Sequence, residues 1–159
     1  MHLKYLSVVI LLFFFLPLGY ADEAQIKSLP SDPAVQEFVR LVNAKRRSGG
    51  CPELKWDDRV ALIAYTHSAD MDSRNFFSHI NPDGKSPFDR LQEANVAFSA
   101  AAENIALGPR TGQEAYDDWM RSPGHRRNML DCRFTRHGVG RVGGSGQVCR
   151  LILRVSKRT

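Results

Sequence analysis

A chain of 159 residues, 43% hydrophobic and 25% charged, is long enough for one domain whose core closes without help from metal or disulfide, and too short for several. Its formal charge of +5 comes without any nucleic-acid-binding motif, which sets DNA and RNA aside as partners. The basic residues gather in Lys45-Arg46-Arg47, in Arg126-Arg127 and in the tail at 154–158. They read first as a solvated face, and second as a surface suited to an anionic cell envelope.

The first 21 residues read as an export signal. Lys4 supplies the positive start, residues 6–16 form an almost continuous apolar run, and Gly19-Tyr20-Ala21 precedes a cleavage expected after Ala21. The run is short for a hydrocarbon layer roughly 30 Å thick, so no transmembrane segment is expected in the mature protein. No cysteine stands at the cleavage region to carry a lipid. The expected location is extracellular or periplasmic. Residues 22–33 are polar and without periodicity, a loose leader to a domain at 34–156.

Asp32-Pro33 gives a helix cap followed by proline at the first helical position. Val35, Phe38, Val39 and Val42 follow at helical spacing until Gly49-Gly50, with Arg40, Lys45 and Arg46 left for solvent. Cys51 to Trp56 is a connector whose Pro52, Leu54 and Trp56 can pack on the core. Asp57 or Asp58 then caps a second helix to about Asn75, its inner face formed by Val60, Ile63, Ala64 and Met71. His67 shares that face and reads as a hydrogen-bonded packing residue.

Residues 76–87 form a loop. Asn81-Pro82-Asp83-Gly84 is a turn signature, because proline presets one φ and glycine supplies a positive one. It folds the chain back directly after His79, and the turn reading is preferred to a calcium ligand role for Asp83. Ser86-Pro87 caps a short helix over 88–94 with Phe88 and Leu91 as its packing residues. Residues 96–107 are small and apolar except for Ser99, Glu103 and Asn104. A carboxylate in such company is partly buried and needs partners, for which His79 and His125 are the expected candidates.

Thr111 or Gly112 opens another helix, packed through Ala115, Tyr116, Trp119 and Met120 and ended by Pro123-Gly124. His125 then stands at a sharp corner with Arg126, Arg127 and Asn128. Residues 138–142 and 147–155 read as a β-hairpin around Gly143-Gly144-Ser145-Gly146, with Leu151, Leu153 and Val155 alternating along the last strand. Helices with a small sheet make an α+β domain; periodicity alone does not set its layers.

Three cysteines in an oxidising compartment predict one disulfide and one remaining thiol. In the expected hairpin Cys149 lies opposite a residue near Arg141, several positions from Cys132. Bridged cysteines need Cα atoms within about 7 Å, which favours Cys51–Cys132. The leftover Cys149 could join two otherwise monomeric chains.

Ala64-Tyr65-Thr66-His67-Ser68-Ala69-Asp70-Met71, the segment 77–87, Ala102-Glu103-Asn104-Ile105-Ala106 and the segment 119–130 occur in order. Over about residues 35–155 the chain resembles the bacterial branch of the CAP superfamily of cysteine-rich secretory, antigen 5 and pathogenesis-related proteins. That resemblance implies a three-layer α-β-α sandwich around a small, largely antiparallel sheet. It also implies a cleft of two histidines and two acids, which holds a divalent metal in some relatives. His79, His125 and Glu103 match three of the four, while Ser122 stands where the second acid is expected. The bacterial relatives also imply the Cys51–Cys132 pairing.

Two histidines and a carboxylate have the ligand count of a catalytic zinc site, so zinc bound by His79, His125 and Glu103 is the cofactor to test. Without metal, His79, Glu103 and His125 could serve as an acid–base set. Ser68, Ser78 and Ser122 lack the G-x-S-x-G context of a nucleophile. The fold hosts many functions, so function must rest on the site. The preferred reading is a ligand-binding or interaction module at the cell envelope, with a cleft of His79, Glu103, Asn104, Ser122, His125 and Arg126 for a small-molecule, lipid or envelope ligand. A metal-dependent hydrolase is the second reading, and a structural envelope protein the third.

Overall fold

The computed structural model describes residues 23–144 and 147–156, the last strand through backbone and register alone. The expected export signal, the hairpin tip at 145–146, the Cys149 thiol, the basic tail and the alternation of Leu151, Leu153 and Val155 fall outside that description.

Where a loose leader is expected, the chain forms helix α1, Glu23–Ser28, and a 3-10 turn, Leu29–Ser31. Leu29 is buried, and the burial of its apolar side chain helps hold the segment in place. Helix α2, Pro33–Ser48, starts as its sequence predicts: Asp32 Oδ1 accepts from the Ala34 and Val35 amides at 2.8 and 3.4 Å. Strand β1, Lys55–Trp56, leads to α3, Asp58–Ser73, capped by Asp57 in the same manner. A short α4, Pro87–Glu93, carries a reciprocal capping box between Ser86 and Asp89.

Strand β2, Ala100–Leu107, occupies the small apolar stretch to which sequence periodicity assigns no element. Helix α5, Gly112–Arg121, ends at Ser122, and α6, Pro123–Leu130, begins there. Pro123-Gly124 therefore opens a helix where only a helix end was expected. Proline has no amide proton to lose at a first helical position, so the residue that stops one helix can start the next. Strands β3, Arg136–Gly144, and β4, Gln147–Ser156, complete the chain as the expected hairpin.

The four strands lie in the order β1-β3-β4-β2. Only β1 and β3 are parallel, which makes the sheet largely antiparallel. Ala100, Ala102 and Ala106 of β2 pack with Val35, Phe38 and Val42 of α2, Ala115 and Trp119 of α5, and Met129 of α6. The alternate residues Ala101 and Ile105 belong to clusters with Val60, Ile63, Ala64 and Met71 of α3. The period of two in a strand thus divides β2 between helices on opposite faces, giving the three-layer α-β-α sandwich.

Strand β3 holds both helical layers. Asp32 Oδ2 accepts from Arg141 at 3.0 Å, and Asp57 Oδ2 accepts from Arg136 at 2.6 Å. Each capping aspartate therefore uses one oxygen for its helix and the other for the sheet. On the α3 side the approach is close enough to require glycine. A Cβ on Gly138 or Gly140 would lie 2.0 Å from the Ala61 nitrogen or 2.1 Å from the Tyr65 nitrogen.

Cys51 and Cys132 are joined, with Cα atoms 5.0 Å apart. Cys149 lies opposite Val142 and Leu107, one position from the expected register. Arg46 reverses its expected exposure. It is fully buried, and its guanidinium donates to the carbonyls of Pro52, Met129, Asp131 and Phe134 at 2.9–3.0 Å. A planar group with several donors satisfies carbonyls that an apolar residue would leave unpaired. Pro52 is exposed, and Phe88 is 47% exposed against Phe98 rather than a core residue.

Candidate functional site

The loop carrying His79 is braced from four directions. Gly84, at φ +79°, donates to the Asn81 carbonyl at 2.9 Å, and Asn81 Oδ1 accepts from the amides of Asp83 and Lys85. This is the expected turn, closed by an asparagine side chain as well as by backbone. Arg74, just past α3, donates to both Asp83 oxygens at 2.5 and 3.2 Å, so Asp83 is a tether of the turn. His67, buried in α3, donates through Nε2 to the Ser78 carbonyl at 3.0 Å. Its expected packing role has a specific content: it holds the residue next to His79.

The fourth brace is Arg90 of α4. One nitrogen donates to the carbonyls of His79 and Lys85 at 3.1 and 3.0 Å, and another donates to Glu103 Oε2 at 2.7 Å. Glu103 Oε1 accepts from His79 Nδ1, also at 2.7 Å. The Glu103 side chain is only 2% exposed and that of Arg90 9%, while His79 is 49% exposed. A carboxylate accepts hydrogen bonds and cannot donate, so the neutral form of His79 carries its proton on Nδ1 and turns the Nε2 lone pair away from Glu103.

His125 approaches from the other layer. It lies in the first turn of α6, and its carbonyl accepts from Asn104 Nδ2 at 3.1 Å. Asn104 is buried and also accepts from Asn128 at 2.9 Å, so it joins β2 to α6. Burial lowers the His125 pKa below the ordinary 6.5, and the nearby charge of His79 lowers it further. The two histidines are thus tied to neighbouring residues of the edge strand β2, His79 to Glu103 and His125 to Asn104. The His125 ring stands 6.3 Å from that of Trp119, whose indole donates to the Ile105 carbonyl. Ser122 sits between α5 and α6 and makes no capping bond, and Arg126 is exposed beyond it.

Of the expected set, His79 and Glu103 are in direct contact, and Asn104 is bonded to the backbone of His125. Arg90 replaces His125 as the second partner of Glu103. Sequence reasoning identified a carboxylate that needed compensation but not this arginine. The missing signal is the general preference of a buried carboxylate for charge-assisted guanidinium bonds.

A metal ion needs donors aimed at one point. Both Glu103 oxygens are engaged, His79 Nδ1 is engaged, and the remaining donors of the expected set are two imidazole nitrogens. Among the described residues no group of three or more His, Cys, Asp and Glu is placed to hold a metal ion. The residues as arranged do not fit a three-ligand zinc site.

The family model of the cysteine-rich secretory proteins, CAP, matches residues 39–150. The uncharacterized protein YkwD of Bacillus subtilis is 39% identical over 117 residues, covering 72% of this chain and 46% of YkwD. The uncharacterized membrane protein YlbC of the same organism is 39% identical over 105 residues, covering 66% of this chain and 30% of YlbC. The chain therefore spans less than half the length of either curated relative. An extracellular SCP-domain protein from Bacillus anthracis superposes with a TM-score of 0.73 at 34% identity, over 86% of this chain and 44% of that one. An outer surface protein from Borrelia burgdorferi gives a TM-score of 0.75 at 16% identity, over 80% and 96% of the respective chains, a likeness of fold alone. No helix among the described residues is long and apolar enough to cross a membrane.

Proposed function

The chain belongs to the cysteine-rich secretory protein (CAP) family, and from that membership we propose that it is an exported binding module rather than a metal-dependent hydrolase. Its ligand is taken between His79 and His125 at the β2 edge, with Arg126 beside them for an anionic group. The observation that carries this reading is the position of Glu103. A metal-dependent hydrolase of this kind needs the carboxylate beside the histidines, as a ligand of a metal-bound water in reach of the substrate. Here the carboxylate is 2% exposed and bonded on both oxygens, so it faces the scaffold rather than the cleft.

Half-exposed His79 offers a lone pair at Nε2, and His125, held neutral by burial, offers a second polar ring. Such a pair can recognise hydroxyl or acidic groups without changing them. The disulfide suits an oxidising compartment, and the similar extracellular protein supports a place outside the cytoplasm. The cell envelope is the expected source of the ligand.

The test compares the wild type with a His79→Ala/His125→Ala variant on casein and on p-nitrophenyl acetate, with and without added zinc. The same two proteins are titrated with acetate and inorganic phosphate while the NMR signals of α6 and of residues 77–80 are followed. Equal, background hydrolysis together with localised shifts in the wild type alone is the expected outcome. Zinc-stimulated hydrolysis about tenfold above the variant would establish the enzyme reading instead.

A further inference from the structure

We propose that Arg90 withholds Glu103 from metal and makes it a positioning residue for His79. A residue outside the histidine–acid set thereby decides which chemistry the cleft can offer. The inference deepens the binding reading, but its failure would be separate: hydrolysis in the assay above overturns that reading, whereas a metal ion on Glu103 overturns this one.

Three observations carry it. Arg90 and Glu103 meet at 2.7 Å with side chains 9% and 2% exposed, so each is the other's counter-charge in a site that water scarcely reaches. Turning Glu103 toward a metal would leave the guanidinium buried without its anion, a strongly unfavourable state. Second, Arg90 also holds the His79 and Lys85 carbonyls, so it cannot follow Glu103 without releasing the loop. Third, the other Glu103 oxygen accepts from His79 Nδ1 at 2.7 Å. The carboxylate stands behind the imidazole, where it sets tautomer and ring orientation, as carboxylates behind histidines do.

Arg90 thus acts on His79 by two routes, through its backbone carbonyl and through Glu103. The cleft is left with two nitrogen donors, fewer than the three protein ligands of a catalytic zinc site. Replacing Arg90 by an uncharged residue of similar length frees one Glu103 oxygen and raises the count to three.

The experiment is calorimetric titration of zinc into the full mature chain as wild type, Arg90→Met, and Arg90→Met/Glu103→Gln. Wild type is expected to bind more weakly than about 100 µM, Arg90→Met at least about tenfold more tightly, and the double variant to lose that gain. A merely structural arginine would give no zinc affinity that depends on Glu103. Unchanged affinity in folded Arg90→Met would overturn the proposal. Where Arg90→Met does not fold, the wild type decides alone, through the infrared difference spectrum on adding zinc. No shift of a carboxylate band supports the proposal, and a shift that Glu103→Gln abolishes contradicts it.

Discussion

Arg90 and Glu103 form an ion pair at 2.7 Å between α4 and the edge strand β2, with both side chains nearly closed to solvent. Breaking such a pair from one side strands a buried charge. Arg90→Ala is expected to cost about 3–5 kcal/mol of stability, read from urea unfolding at neutral pH. A loss below about 1 kcal/mol would place the pair among ordinary surface bridges.

Arg46 presents a different case, a buried cation whose partners are carbonyls. Its bonds to Pro52, Met129, Asp131 and Phe134 join the end of α2 to the disulfide-linked segments. Arg46→Met keeps most of the volume but leaves those carbonyls without a donor. We expect a loss of about 3–5 kcal/mol and a lower thermal midpoint by calorimetry.

Gly140 tests the contact between layers. A Cβ there would stand 2.1 Å from the Tyr65 nitrogen, which is helix backbone and cannot swing aside. Gly140→Ala should therefore push α3 off β3 and cost about 3 kcal/mol or prevent folding. Gly124→Ala is the control, since its nearest neighbour is the far end of the Arg127 side chain at 4.0 Å. It should fold normally.

The pH dependence follows from His67. Burial, and then the charge of Arg90, hold its pKa below the ordinary 6.5. Below that pH the unfolded chain takes up a proton that the folded chain refuses. The contribution of His67 is full above pH 6.5 and falls as the pH drops from there toward its folded value. His125 is displaced in the same direction. His67→Gln should flatten part of the decline in stability between neutral and mildly acidic pH, as measured by unfolding at several pH values. A steeper decline in the variant would contradict the assignment.

Much of this architecture was legible in the chain, and the reasons are local. Asp32-Pro33, Ser86-Pro87 and the Asn81–Gly84 turn carry their own hydrogen-bond chemistry, so their roles follow from a few neighbouring residues. The pairing of Cys51 with Cys132 followed from the hairpin register together with the family resemblance. Arg46 and Arg90 were not legible, because each is enclosed with the help of partners from other elements, Met129 and Phe134 for the first and Glu103 for the second. A charged residue reads as exposed until those partners are known. Strand β2 escaped because alanine fits both faces of a sheet without producing an apolar–polar alternation. Helix α6 escaped because a proline that ends one helix looks the same as one that begins another. At the site, the residues themselves pointed to Glu103 with His79 and His125 as partners, and the resemblance matched the same three. Their division into an outward imidazole, an engaged carboxylate and a second histidine from the opposite layer required coordinates.

The most direct measurement is the tautomer of His79, read from long-range proton–nitrogen correlations at a pH where the imidazole is neutral. The 2.7 Å contact between Nδ1 and the carboxylate predicts the Nδ1–H form in the wild type, with loss of that preference in Glu103→Ala. An Nε2–H tautomer in the wild type would contradict the account. It would mean that Glu103 does not hold His79 and that the lone pair assigned to the cleft points into the scaffold.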